Sequence, residues 1–218
     1  MAAIPETIRY GTDMARLSRD AWLDAAYERF SDDGISAVAV EPVARSLGAT
    51  KGSFYWHFTD RQALVDAVLD RWRYLETEQL IEQVEQIGDP QARLVKLFQI
   101  IGHRATERSG ERTLYADAAA AHVREPVAAV TQRRIAYLAS LLEQCGVASD
   151  DASRRAIMLV SAIVGFQQLL ASGWLPSEHP RTLVDTLYSV ALIPAGAARP
   201  SAAMPKAPAE NGEGLRTS

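Results

Sequence analysis

The chain reads as an all-α protein. Three observations carry that expectation. Strand-type alternation is almost absent, apolar residues recur mostly at i, i+3 and i+4, and Ala, Leu, Arg, Glu and Gln dominate the composition. With 218 residues, 48% of them hydrophobic, there is material for a substantial core in one or two domains.

The first clear helix is expected from Ser18, a suitable N-cap, to Asp32 or Asp33, with Gly34 as its stop. Trp22, Ala26 and Phe30 form its inward face, with Leu23 and Tyr27 beside them. A short second helix covers about residues 41–47. Pro42 is tolerated in its first turn, where N–H groups have no intrahelical partner, and Gly48 ends it. Thr50 can cap a third short helix that runs through His57.

A long helix is expected from Asp60 through Leu64, Val68, Trp72 and Leu75 to about Ile87, where Gly88-Asp89-Pro90 breaks it. Further helices are expected at about 90–107, 111–122, 126–144, 152–171 and 180–192. Residues 1–17 read as a mobile arm. The Pro-, Ala- and Gly-rich stretch 194–218 reads as a disordered tail, because it holds too little apolar surface to order itself.

The most informative stretch is Phe54-Tyr55-Trp56-His57-Phe58. A helix turns about 100° per residue, so only Phe54 and Phe58 can share an inward face. Tyr55, Trp56 and His57 must then fan outward. Two short helices joined by a Gly-containing turn form a helix-turn-helix, whose second helix can enter a DNA major groove. Val43, Ala44, Phe54 and Phe58 supply its small core. Lys51, Gly52, Ser53 and Trp56 lie where base edges are read. Thr50, Tyr55, His57 and Arg61 suit phosphates, which accept from hydroxyls, N–H groups and cations.

From Arg19 to about Leu69 the chain resembles the TetR family of bacterial transcriptional repressors. The residues that carry the likeness are Arg19 to Ala26 with Phe30 and Gly34, then Val43-Ala44, Leu47-Gly48, Lys51 to Phe58, Arg61 and Ala63-Leu64. The resemblance implies a helix-turn-helix domain over 18–62 and a helical ligand-binding and dimerisation domain over 63–193. It also implies a cytoplasmic, homodimeric regulator that binds double-stranded operator DNA and is released by a small-molecule effector.

The chain departs from the family pattern at two places. Val40 stands where a Thr or Ser cap is usual, which weakens the second helix's start by roughly 1 kcal/mol. Arg61 stands where Lys is usual, and it keeps the charge.

Charge limits the DNA footprint. The whole chain carries −4, so it is not a polybasic binder. Residues 1–75 hold nine basic against eleven acidic side chains, whereas 45–61 carry a net +2. The expectation is few phosphate ion pairs and a modest salt dependence.

By resemblance, an effector cavity lies among the C-terminal helices. Polar or aromatic residues within apolar stretches are its candidate lining: Phe98, His103, Tyr115, His122, Tyr137, Phe166 and Gln167. The 152–171 helix is apolar nearly all round, so one face can serve the core and another a partner subunit. Together with 180–192 it is expected to build a four-helix dimer interface.

Other chemistries find little support. His103 with Glu107 and His122 with Glu125 are close enough in sequence to be weighed as metal ligands, but neither pair has further ligands at suitable spacing. No catalytic constellation, Gly-rich phosphate loop or cofactor motif is evident, so no enzyme activity is expected. A single cysteine, Cys145, excludes an intrachain disulfide, and it reads as a small buried hydrophobe. No apolar run reaches the ~20 residues of a membrane span. An adaptor that grips a protein with the exposed aromatics is the alternative to a DNA binder. Competition by DNA for that face would separate the two.

Overall fold

A computed structural model describes residues 17–107, 109–174 and 180–193. The expected arm before Leu17 and the tail from Pro194 onward lie outside the described residues. Helices within the described residues are α1 (Arg19–Asp33), α2 (Val40–Ser46), α3 (Lys51–Phe54), α4 (Arg61–Arg73), α5 (Gln79–Glu85), α6 (Pro90–Glu107), α7 (Ser109–Asp117), α8 (Arg124–Gln144), α9 (Ser149–Ala171) and α10 (Pro180–Leu192). The described residues form helices and turns without a strand, as the periodicity predicts.

Local chemistry sets the N-terminal elements. The Ser18 hydroxyl accepts from the Ala21 N–H at 3.1 Å and starts α1. Gly34 ends α1 at φ 85°, and its N–H donates to the Phe30 carbonyl. A Cβ at Gly34 would lie 2.7 Å from the Thr113 hydroxyl oxygen of α7. Glycine is therefore required there by backbone conformation and by close approach alike. A 3₁₀ turn, Ile35–Ala37, then leads into α2.

Helix α2 begins one residue earlier than expected, and its N-cap is Ala39 rather than Val40. Neither residue has a side-chain acceptor, so the start of α2 lacks a side-chain cap either way. Helix α3 is shorter than expected and ends at Phe54. Residues 55–58 continue as a tight turn, with His57 N–H donating to the Phe54 carbonyl at 2.9 Å.

The long helix also differs from expectation. It is helical from Arg61 to Glu85, but Tyr74–Glu78 form a π-helical turn between α4 and α5. Such a turn inserts an extra residue into the hydrogen-bond ladder and rotates the helix beyond it. Helix α7 ends earlier than expected, at Asp117. Helices α8 and α9 begin before expectation, at Arg124 and Ser149.

The buried residues form two hydrophobic cores. The first joins Trp22, Phe30, Ile35, Val43, Phe54, Phe58, Leu64 and Trp72 to Leu114 of α7 and to Val127 and Val130 of α8. The second joins Leu80, Val84, Leu94, Phe98, Leu138, Leu141, Leu159 and Leu187. Packing therefore does not stop between residues 62 and 63. The first core runs on through α4 and takes in α7 and the beginning of α8. The α4–α5 helix and α8 each start in one core and finish in the other.

Candidate nucleic-acid interface and cavity

Phe54 and Phe58 stack with ring centroids 5.6 Å apart, and Trp22 meets Phe54 edge-on at 5.5 Å. The Arg19 guanidinium lies 4.7 Å from the Phe58 ring centroid and covers it. Both phenylalanines are buried, so the turn after α3 is pinned from below. Above them, Trp56 is 79% exposed and Tyr55 is 55% exposed. Phe54 and Phe58 point inward and Tyr55 and Trp56 outward, as the sequence predicts, whereas His57, expected outward, is half-buried.

Thr50 caps α3, its hydroxyl oxygen accepting from the Ser53 N–H at 3.2 Å. Thr50, Lys51 and Gly52 are exposed, and Ser53 and His57 are half-buried. The Ser53 hydroxyl donates to the Thr50 carbonyl at 2.8 Å. These residues adjoin the exposed Tyr55 and Trp56 in the same short segment.

Two of the predicted cations are already engaged. Lys51 Nζ lies 3.0 Å from Glu41 Oε1. This contact holds the Lys51 ammonium above its ordinary pKa and the Glu41 carboxyl below its own. Arg61 is half-buried. Its Nε donates to the Val38 carbonyl at 2.7 Å, and a terminal nitrogen donates to that of Ile35 at 3.4 Å. Its evident work is to bind α4 to the link between α1 and α2. Arg45, which sequence reasoning did not assign to the site, is exposed in the last turn of α2.

A cavity of about 750 Å³, counted with its open mouth, lies beside the π-turn. Leu80, Ile81, Leu97, Ile101, Leu138, Val160, Ile163 and Val164 form most of its wall, with Phe98, Tyr137 and Gln167. These last three were predicted. His103, Tyr115, His122 and Phe166 do not line it. His103 and His122 are both exposed, the latter in the turn after α7. The Tyr115 hydroxyl lies 3.1 Å from Thr131 Oγ1, and its ring packs against the first core.

Sequence reasoning missed the cavity's polar end, made by Glu76, Thr77, Arg104 and Arg134. A signal was present. Trp72, Glu76, Leu80 and Val84 recur every fourth residue, and all four are buried. A carboxylate in an otherwise apolar row marks a site.

Arg104 meets Glu76 Oε2 at 2.7 Å and donates to the Leu75 carbonyl at 3.1 Å. Arg134 Nε donates to Thr77 Oγ1 at 2.9 Å, and a terminal nitrogen reaches the Glu76 carbonyl at 3.3 Å. Its guanidinium also lies 5.0 Å from the centroid of the buried Trp72 ring. The hydroxyl of Tyr137, another lining residue, donates to Glu85 Oε1 at 2.6 Å. Burial and that hydrogen bond push the phenol well above its ordinary pKa. Among the described residues, no group of three or more His, Cys, Asp or Glu could hold a metal. No described helix is long and apolar enough to cross a membrane.

The fold and the pinned aromatic turn define a helix-turn-helix protein with a separate helical core. Residues 23–68 match the family model for bacterial regulatory proteins of the tetR family. That match assigns a helix-turn-helix domain of the tetR type to this segment of the chain.

Over 55 residues it is 38% identical to the tetracycline repressor protein class D of Escherichia coli, covering 25% of each chain. Over 80 residues it is 32% identical to the transcriptional regulator AcrR of Shigella flexneri, covering 35% of this chain and 36% of that one. The matched stretch thus spans about a quarter to a third of these relatives' length.

The fold likeness reaches further. A TetR-like regulator from Rhodococcus sp. RHA1 superposes with a TM-score of 0.59 at 23% identity, over 79% of this chain and 93% of that one. The reduced form of NemR from E. coli gives 0.65 at 18% identity, over 79% and 96%.

Proposed function

We propose that the protein is a ligand-responsive repressor. It binds a palindromic operator as a homodimer and lets go when a small molecule enters the cavity. One observation supports the reading above all. An exposed segment of hydroxyls and rings (Thr50 to Trp56) is pinned on the first core, and a single helical path leads from that core to the cavity. Ser53, Gly52, Lys51 and Trp56 would meet base edges, while Thr50, Tyr55 and His57 would meet phosphates. Arg61 would contribute to DNA binding mainly by fixing α4 against the helix-turn-helix.

The dimer face would be α9 with α10. Ile157, Met158 and Leu169 of α9 and Val190 of α10 are exposed large apolar residues, which a partner copy would cover. Two copies would place two recognition segments one DNA turn apart. The cytoplasm is the compartment that this function implies.

An effector that prefers a conformation with altered spacing of those segments would reduce operator affinity. A coupling of about 1–3 kcal/mol corresponds to roughly 5- to 150-fold. Gel shift with the chain's own upstream DNA tests the reading. A discrete complex at low salt is expected, and indifference to sequence would overturn it.

A further inference from the structure

Helix α9 contributes Val160, Ile163, Val164 and Gln167 to the cavity wall. Their spacing puts them on one face of the helix. Three are branched hydrocarbons and the last is an amide. Gln167 is only 9% exposed.

A carboxamide offers two N–H donors and a carbonyl acceptor. Burying it without partners costs stability, so a buried Gln is ordinarily hydrogen-bonded. The other polar side chains of the wall are engaged. Arg104 meets Glu76, Arg134 donates to Thr77, and Tyr137 donates to Glu85. Among the described residues, none forms a hydrogen bond with the Gln167 side chain. Nor is its amide sealed, as the indole nitrogens of Trp22 and Trp72 are, so its polar atoms open on the cavity.

Leucine or methionine at position 167 would extend the apolar face of α9. An amide there weakens the fold and gains only from something in the cavity that pairs with it. Water entering by the mouth can serve it, but a ligand that fills the cavity displaces that water. The ligand must then offer an acceptor to the N–H groups and a donor to the carbonyl, or leave one of them unpaired.

We propose that the effector is a mainly hydrocarbon molecule whose polar head sets a donor beside an acceptor, as a primary amide or a lactam does. Gln167 pairs with that head through two hydrogen bonds, whichever way its amide is turned. The apolar body lies among Leu97, Phe98, Val160 and Val164. The inference rests on the reading of this cavity as the effector site, and it makes Gln167 the residue that selects the effector.

Octanamide and 2-nonanone are the probes. They share one shape and differ only in an amide NH₂ where the ketone has a methyl group. Each is titrated calorimetrically into the full chain. Octanamide should bind at least about tenfold more tightly, although the ketone is the more apolar. Gln167→Met should weaken octanamide at least about tenfold, while 2-nonanone holds or gains. Gln167→Leu should give the same pattern.

Retained ketone binding reports an intact cavity in each variant, and the wild-type ratio decides without any variant. If 2-nonanone binds the wild type as tightly as octanamide, ligands enter the cavity but the donor–acceptor inference is wrong. If the advantage of octanamide survives in both variants, Gln167 does not read the head and the inference is likewise wrong. If neither probe binds, the effector-site reading falls and the inference falls with it.

Discussion

Single side chains divide here between holding the fold and meeting a partner, and the division yields sharp tests. Gly34 combines φ 85°, ψ 176° with a Thr113 oxygen where a Cβ would go. Gly34→Ala should cost about 2–3 kcal/mol, seen as a lower urea midpoint at unchanged slope. Arg61 spends its guanidinium on two backbone carbonyls. Arg61→Met should therefore lower stability by about 1–3 kcal/mol while leaving the salt dependence of DNA binding unchanged. If that slope falls by about one instead, Arg61 reaches a phosphate after all.

Tyr55→Phe should weaken binding to all duplexes alike, and Lys51→Ala should change which base is preferred. Similar effects of both would overturn the split between positioning and reading. Burial and the charge of Asp89 push the Cys145 thiol above its ordinary pKa. At pH 8 less of it is thiolate, so iodoacetamide should label it more slowly than free glutathione. Labelling as fast as glutathione would mean that the thiol is open.

At the level of elements, sequence reading succeeded where short-range chemistry decides. Ser18, Thr50 and Asp60 cap the helices for which they were named, because a cap is a contact between residues three apart. The inward Phe54 and Phe58 and the outward Tyr55 and Trp56 were also legible, although 55–58 form a turn rather than the expected helix and His57 is half-buried. The π-turn at Tyr74–Glu78 was not legible, because nothing local distinguishes it from α-helix.

Its consequences were just as hidden. Arg104 and Arg134 come from α6 and α8 and reach Glu76 and Thr77 over 28 and 57 positions of chain. Of seven residues named for the cavity three line it, and all seven were chosen for residue type, which does not say which way a helix faces. The engagement of Lys51 by Glu41, ten residues away across the turn, likewise needed the geometry.

For the whole molecule, the two cores are the organising fact. The α4–α5 helix and α8 bridge them, and they meet where Arg134 sits on the π-turn. Within the first core α4 is also fastened to α1, since Arg71 of α4 forms an ion pair with Asp24 of α1. Movement at the cavity's polar end is thus expected to carry the aromatic turn as a body rather than to deform it.

The exposed apolar face of α9 makes the assembly testable. Wild-type chain should elute with the light-scattering mass of a dimer, and Met158→Asp should shift it towards monomer without loss of helical circular dichroism. A monomeric wild type would remove the half-site geometry. The modest positive charge around the aromatic turn (a net +2 over residues 45–61) implies a shallow salt dependence, with hydroxyls and rings contributing much of the affinity.

Sequence-specific DNA binding through the aromatic turn is best tested by fluorescence anisotropy. The labelled duplex comes from upstream of the chain's own gene, and a scrambled duplex of equal composition is the control. Saturable binding to the upstream duplex should be at least about a hundredfold tighter than to the scrambled one. Trp56→Ala should remove most of that difference. Equal affinity for both duplexes, or a preference untouched by Trp56→Ala, would contradict a DNA-reading role for this turn.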